Sequence, residues 1–442
     1  MSDAWFAGDD ARRALLTRAF EAAVAASDPV TVLQDAWPPP PAGTVRVLAL
    51  GKAAATMAAA AEAHYGARGV RVDGLAVVPY GHGAPTRWVE VREAGHPEPD
   101  AAGEAAGRAL LRRAEGAGAR DLVLVLVSGG GSALTTVPDG VDAQEWAEAH
   151  RALLASGADV REINAVRRRL DGVKGGRLAV AAHPAEVVAL VVSDVVGDDP
   201  RHVASGPTVA DEAGPEAALA VLDRYRIDAP GARQALQAER AGRRPGPPRP
   251  GDPRLARCRT RVVASAAGAL TAAAATFTDA GLAARVVTAE VTGDARRAGR
   301  VHARLARRTS RRLRGAEQGC VLLSGGETTV RVRGAGRGGR NSTFALALAL
   351  ALRDDLPVWA LAADSDGVDG VGGHAGAFVR PGMFAGTARA RAEAADARDD
   401  SYVAFEQVGA LFRTGPTRTN VNDLRFVWVD PPPAGDGRRA RG

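Results

Sequence analysis

"LVLVLVSGGGSAL", residues 122–134, is the stretch on which the fold turns. Six consecutive Leu and Val residues lack the polar alternation of a strand with one wet face, so this strand is covered on both sides. Three glycines then end it, and an alanine- and leucine-containing segment follows. The same strand–loop–helix unit recurs in "VRVLALGKAAATMAAAAE" (45–62) and where "VVALVV" (187–192) runs into "SDVVGDDPRHVASGP" (193–207). Further strands are expected at 74–79, 88–93, 261–265, 284–291, 320–323, 329–333, 357–362 and 426–429. Helices are expected at 11–34, 53–65, 101–115, 143–155, 213–226, 267–280, 294–313 and 343–353. Strands alternating with helices indicate an α/β chain with parallel sheet. The proline- and glycine-rich run "AGRRPGPPRPGDPR" (241–254) reads as a linker, dividing the chain into two lobes near residue 250.

The 442 residues exceed one ordinary core, and 46% hydrophobic with 24% charged residues is a globular composition. No uninterrupted apolar run reaches the roughly 18 residues of a membrane span. The acidic start "MSDAWFAGDDARR" has no secretory pattern. Cys258 and Cys320 fit no metal-binding spacing and read as buried thiols, so a reducing, cytoplasmic setting is expected. Net charge is only +6 and aromatics only 4%. A nucleic-acid surface needs a basic stripe with stacking rings. The densest basic run, 296–315, alternates with Val301, Leu305 and Leu313 as a solvated helix face does. Small-molecule chemistry remains, without nucleic acid or membrane; a homodimer is compatible with this reading.

In open parallel sheets ligands bind beyond the carboxyl ends of the strands. There Gly129, Gly130 and Gly131, with Ser132, form either a tight turn or a phosphate cradle of unshielded N–H groups, helped by the helix start that follows. Asp194 stands at another strand tip, with Asp198 and Asp199 just beyond, able to hold Mg²⁺, accept a substrate proton or cap a helix. Scarcity adds a pointer. Of 57 basic residues only Lys52 and Lys174 are lysine, and only Asn164, Asn341, Asn420 and Asn422 are asparagine. All but Lys52 fall in loops that carry other polar residues or in "REINAVRRRLDGVKGGRLA" (161–179). Gly334, Gly336 and Gly339 formally spell G-x-G-x-x-G, a dinucleotide signature. The strand before them reads instead as the second arm of a hairpin, and Arg337 and Arg340 suggest a carboxylate or phosphate ligand. No Walker sequence precedes Lys52.

Taken together, "LGKAA", "SGGGSAL", "INAVRRRLDGVKGGRLA", "SDVVGDDPRHVASGPT", "SGGETTVRVRGAGRGGRN", "DSDGVDG", "DSYVAF" and "TGPTRTNVNDL" resemble the type 2 glycerate kinase family, in the family's order from about residue 45 to 429. The resemblance implies an N-terminal Rossmann-like three-layer domain (1–245) and a C-terminal mixed α/β MOFRL domain (255–442), with the active site in the cleft between them. It implies phosphorylation of the 2-hydroxyl of D-glycerate, or of a related hydroxy acid such as threonate, by ATP and Mg²⁺ or another divalent metal. Lys52 and Asp194 fall on the family's catalytic positions. Gly129, Gly130, Gly131 and Ser132 would hold phosphates; Arg340, Asn341, Lys174 and Asn164 the acid; Asp194 and Asp198 the metal. An NAD(P)-dependent hydroxypyruvate reductase is the alternative. The sequence departs from the family at Ala266, Ser342, Thr343, His374 and Arg418, all in loops expected near the cleft, which puts the identity of the acid in question.

Overall fold

Six apolar segments build the first sheet of the computed structural model, which describes residues 10–331, 334, 336–352, 356–417 and 419–432. They are β1 (Val45–Leu50), β2 (Val72–Pro79), β3 (Val89–Ala94), β4 (Leu122–Val127), β5 (Glu186–Val192) and β6 (Cys258–Ala264). All pairings are parallel, in the order β3-β2-β1-β4-β5-β6. Every residue of β4 is buried, so both faces of the sheet centre are covered, as its unbroken apolar sequence requires. This is the doubly wound order, and its direction reverses between β1 and β4. The register sets Leu50 beside Val127, and Val127 beside Val191, so the carboxyl ends of β1, β4 and β5 finish level.

The second sheet is mixed, antiparallel except at one edge, where the strand reading had pointed to parallel sheet. It consists of β7 (Ala283–Asp294), β8 (Cys320–Thr329), β9 (Val358–Asp364), β10 (Gly376–Val379), β11 (Leu411–Phe412) and β12 (Asp423–Val429), ordered β11-β10-β9-β12-β8-β7. The hairpin expected from 320–323 and 329–333 does not form. Residues 320–329 are one strand, paired with β7 on one side and β12 on the other, and residues 332 and 333 lie outside the described set. Two neighbouring strands satisfy the backbone groups that a hairpin partner would have taken.

The division of the chain differs from the expected one. Two compact units separate between Asp28 and Pro29 and again between Ala264 and Ser265. The helix expected over 11–34 breaks into Asp10–Ala25 and Pro29–Leu33, because Pro29 cannot continue the first helix and starts the second. Asp10–Ala25 then packs on the helix Ala266–Asp279 and on β9, within the C-terminal unit. Phe20 meets the Phe412 ring edge-on at 5.0 Å, Arg12 pairs with Asp430 at 2.6 Å, and its guanidinium lies 4.1 Å over Trp359. The presumed linker 241–254 separates no domains: it leads into β6, which completes the first sheet, and the Pro248 carbonyl accepts the Asp211 N–H at 3.0 Å. Among the described residues no helix is long and apolar enough to cross a membrane.

Because Phe20 is 1% exposed inside the C-terminal unit, Phe20→Ala should cost that unit about 3–5 kcal/mol. Calorimetry should show a lowered transition for residues 265 onward; a loss confined to the first sheet would contradict the assignment of the N-terminal helix.

Candidate active site

The strand tips at the order reversal are joined backbone to backbone. Lys52 N–H donates to the Gly129 carbonyl at 2.8 Å, and Ala53 N–H to Ser128 Oγ at 3.0 Å. A side chain on Gly51 would overlap Ser128, and one on Gly129 would overlap the Asp194 carboxylate. Gly130 holds φ +85°, and the Lys52 Cγ lies 3.5 Å from where a Gly130 Cβ would stand. Lys52, the glycine loop and Asp194 therefore meet, as the sequence reading expected. The N–H groups of Gly129 and Gly130 have no acceptor among the described residues. The helix that follows, Gly131–Leu134, has only four residues, so its dipole adds little and the cradle rests on the loop amides. His96 also lies here, its ring against Gly130, and the sequence reading missed it. Its one signal was position, immediately beyond the carboxyl end of β3.

Ser132 plays a different part from the one expected. Ser205 has a single hydroxyl hydrogen and donates it to Asn164 Oδ1 at 2.7 Å, while Asn164 Nδ2 donates to the His202 carbonyl at 3.3 Å. The 2.8 Å contact between Ser132 and Ser205 hydroxyls can then be made only with Ser132 as donor. Ser132 Oγ is left with lone pairs, suited to a cation or a ligand hydroxyl and not to a phosphate oxygen. Ser205 is held at φ 60° and Ala204 at φ 47°, strained for residues with a Cβ, so the surrounding structure fixes this relay.

Asn164 and Lys174 do not reach a ligand surface. Asn164 is fully buried and orients Ser205. Lys174 is 1% exposed, with its ammonium on Asp171 and 3.5 Å from the Thr135 carbonyl. Burial pulls its pKa down and Asp171 opposes that. It braces the chain behind the glycine loop. Removing one partner of such a buried pair costs about 3–5 kcal/mol.

In the C-terminal unit Arg340 donates at 2.7 Å to each of three carboxylates: Nε to Asp423, Nη1 to Glu327 and Nη2 to Asp364. Burial disfavours its charge, but the three acids outweigh this and hold its pKa above the ordinary value. Arg340 is therefore not an open fork for a substrate carboxylate: three of its five N–H groups are engaged. Asn341 is fully buried, and Nδ2 donates to Asp423 at 2.7 Å. Asp364 is pushed up to about 8 by burial, helped by Asp423 and Asp366 against the pull of Arg340.

The G-x-G-x-x-G alternative fails on geometry. The helix Arg340–Ala351 follows these glycines, but its first amides are taken. Asp369 accepts the N–H groups of Asn341 and Ser342, each at 2.8 Å, and the Ser342 hydroxyl at 2.7 Å. The carboxylate stands where a dinucleotide pyrophosphate would sit. Burial pushes Asp369 up, yet His374 and these donors hold its pKa below the ordinary value.

The same network absorbs most of the departures. Ser342, Thr343 and His374 are buried, His374 Nε2 lies 3.5 Å from Asp369, and the Ser401 hydroxyl reaches Ser342 at 3.0 Å. They compensate one another inside the unit instead of lining a ligand. Ala266 is buried at the start of its helix, and Arg418 lies outside the described residues. Among the described residues no three His, Cys, Asp or Glu side chains converge as a metal cage.

The fold is that of an α/β protein whose glycine loop leaves two amides unengaged at the sheet's switch point. The family described as Domain of unknown function (DUF4147) matches residues 15–237, and the MOFRL family matches residues 320–423. The D-glycerate 2-kinase of Thermotoga maritima is 38% identical over 386 residues, 86% of this chain and 89% of its own. An Agrobacterium vitis protein provisionally named hydroxypyruvate reductase is 42% identical over 434 residues, 95% of each chain. The crystal structure of a glycerate kinase from Thermotoga maritima matches with a TM-score of 0.84 at 35% identity, over 95% of this chain and 100% of that one. The chain belongs to the type 2 glycerate kinase family and is a phosphotransferase.

Two consequences can be measured. Gly129→Ala should displace the Asp194 carboxylate and remove nearly all turnover while the melting midpoint of the protein moves by only a few degrees; an active variant would separate Asp194 from the loop. Asp364 has a folded pKa of about 8 against an ordinary 3.8, so its stabilising share is complete below about pH 4 and is lost as pH rises through about 8. Denaturant midpoints of the C-terminal unit should fall between pH 5 and pH 8.5, and Asp364→Asn should flatten that slope. An unchanged slope in the variant would assign the titration elsewhere.

Proposed function

We propose that the chain transfers the γ-phosphoryl group of ATP to the 2-hydroxyl of D-glycerate, with a divalent cation. One observation carries the reading: a lysine, unengaged loop amides and an aspartate meet where the strand order of a doubly wound sheet reverses. The amides of Gly129 and Gly130 receive phosphate oxygens. Lys52 places a compact positive charge that can follow the phosphoryl group from one oxygen to the other, which arginine's planar fork would do in one geometry only. Asp194 accepts the hydrogen bond of the substrate hydroxyl and orients it in line with the phosphorus. Asp194 and Asp198 would supply carboxylates to Mg²⁺ and Ser132 a lone-pair oxygen, hard oxygen ligands few enough to leave room for phosphate oxygens. A cation held by them would neutralise phosphate charge.

The T. maritima relative's name, D-glycerate 2-kinase, supports this choice of substrate. The reductase reading loses its support with the Asp369-filled helix start. Purified protein with ATP, Mg²⁺ and a panel of glycerate, threonate and related acids should release ADP fastest with D-glycerate and form the 2-phosphate, read by ³¹P NMR. NADH consumption with hydroxypyruvate would overturn the reading. Lys52→Arg should keep the fold and lose more than ten-fold in turnover, at least about 1.4 kcal/mol of barrier; activity retained above that level removes Lys52 from the transfer step.

A further inference from the structure

His96 has no part in the mechanism above, yet it lies against the glycine loop. Its Cδ2 and Nε2 are each 3.0 Å from the point where a Cβ on Gly130 would stand, and Lys52 Cγ is 3.5 Å from the same point. The imidazole and the lysine side chain thus converge beside one glycine whose N–H has no acceptor among the described residues. The ring has no hydrogen-bond partner among the described residues, and the residue as a whole keeps contact with solvent while the ring packs on the loop. The loop that carries it is fixed from its far end. Asp100 accepts the Gly103 N–H at 2.8 Å, capping the helix Ala101–Glu115, and the Tyr80 hydroxyl at 2.7 Å.

Resting on the phosphoryl-transfer reading, we propose that His96 is a further nucleotide-binding residue, whose imidazole nitrogen hydrogen-bonds a phosphate oxygen of ATP beside Lys52 at Gly130. Chemistry favours histidine at this place. A second permanent cation would repel Lys52 while no anion is bound. Lost solvation, then Lys52 and His82, hold the imidazole below its ordinary pKa, so it is neutral near pH 7 and can still present an N–H donor. A polyphosphate then gains a neutral donor next to the ammonium of Lys52, together with the loop amides.

The test uses the full-length chain with His96→Ala and His96→Gln, the second keeping an N–H donor. ATP binding measured by calorimetry without acceptor reads His96 alone; wild-type turnover of D-glycerate reads the proposed function separately. Expected are a ten-fold or greater rise in the ATP dissociation constant for His96→Ala, recovery of at least a third of the affinity in His96→Gln, and a KM for D-glycerate within two-fold of wild type. An ATP constant within two-fold of wild type in His96→Ala overturns the proposal. So does an equal loss in both variants with a lowered melting midpoint, which makes His96 structural, or a change confined to the D-glycerate KM, which turns the ring toward the acid.

Discussion

The site depends on contact between the loops that leave adjacent strands of the first sheet. Parallel pairing brings the ends of β1, β4 and β5 level, so the loops that leave them meet more closely than side chains on both partners would allow. Each junction is made by a glycine: Gly51 against Ser128, Gly129 against the Asp194 carboxylate, and Gly131 with the Ala204 methyl 2.8 Å from where its Cβ would be. Glycine therefore serves here for close approach as much as for backbone conformation, since only Gly51 of these three has positive φ. The sheet alone would deliver three loops; the glycines collapse them into one surface and expose its amides.

The two lysines show how far a composition signal reaches. Both are exceptions in a chain that otherwise writes arginine, and the structure gives them different surroundings. Lys52 lies half-buried beside unengaged amides; Lys174 is sealed against Asp171. Scarcity singled out both positions. It could not say whether a ligand or the protein's own carboxylate receives that charge, because the answer depends on Asp171 and Thr135 closing around one of them.

The first sheet was legible because a doubly covered strand leaves an unbroken apolar run, and all six strands fall within three residues of their expected positions. Short strands such as β10, of four residues, carry too little pattern to read. The discontinuous C-terminal unit was hidden for another reason. Nothing local in residues 10–25 says that Phe20 will meet Phe412 or that Arg12 will meet Asp430. The same limit applies to the site. Lys52, the glycines and Asp194 could be read from their places at strand ends. That Ser132 donates to Ser205, and so can only accept from a ligand, follows from a chain of hydrogen bonds through Ser205, Asn164 and His202 that no spacing rule encodes.

Two glycine-rich loops in this chain show why a signature has to be tested against its surroundings. Gly334, Gly336 and Gly339 have the spacing of a dinucleotide site and open a twelve-residue helix, yet the Asp369 carboxylate already occupies the helix start. A bound phosphate would have to displace an acid held by two amides, a hydroxyl and a nearby imidazole. Gly129 and Gly130 match no dinucleotide pattern and precede a helix of four residues, but no carboxylate among the described residues accepts their N–H groups. Asp194, the nearest acid on Gly129, lies on the Cα side of the loop, where a Cβ would be. Anion binding is thus decided less by the number of glycines than by whether the fold has supplied its own anion.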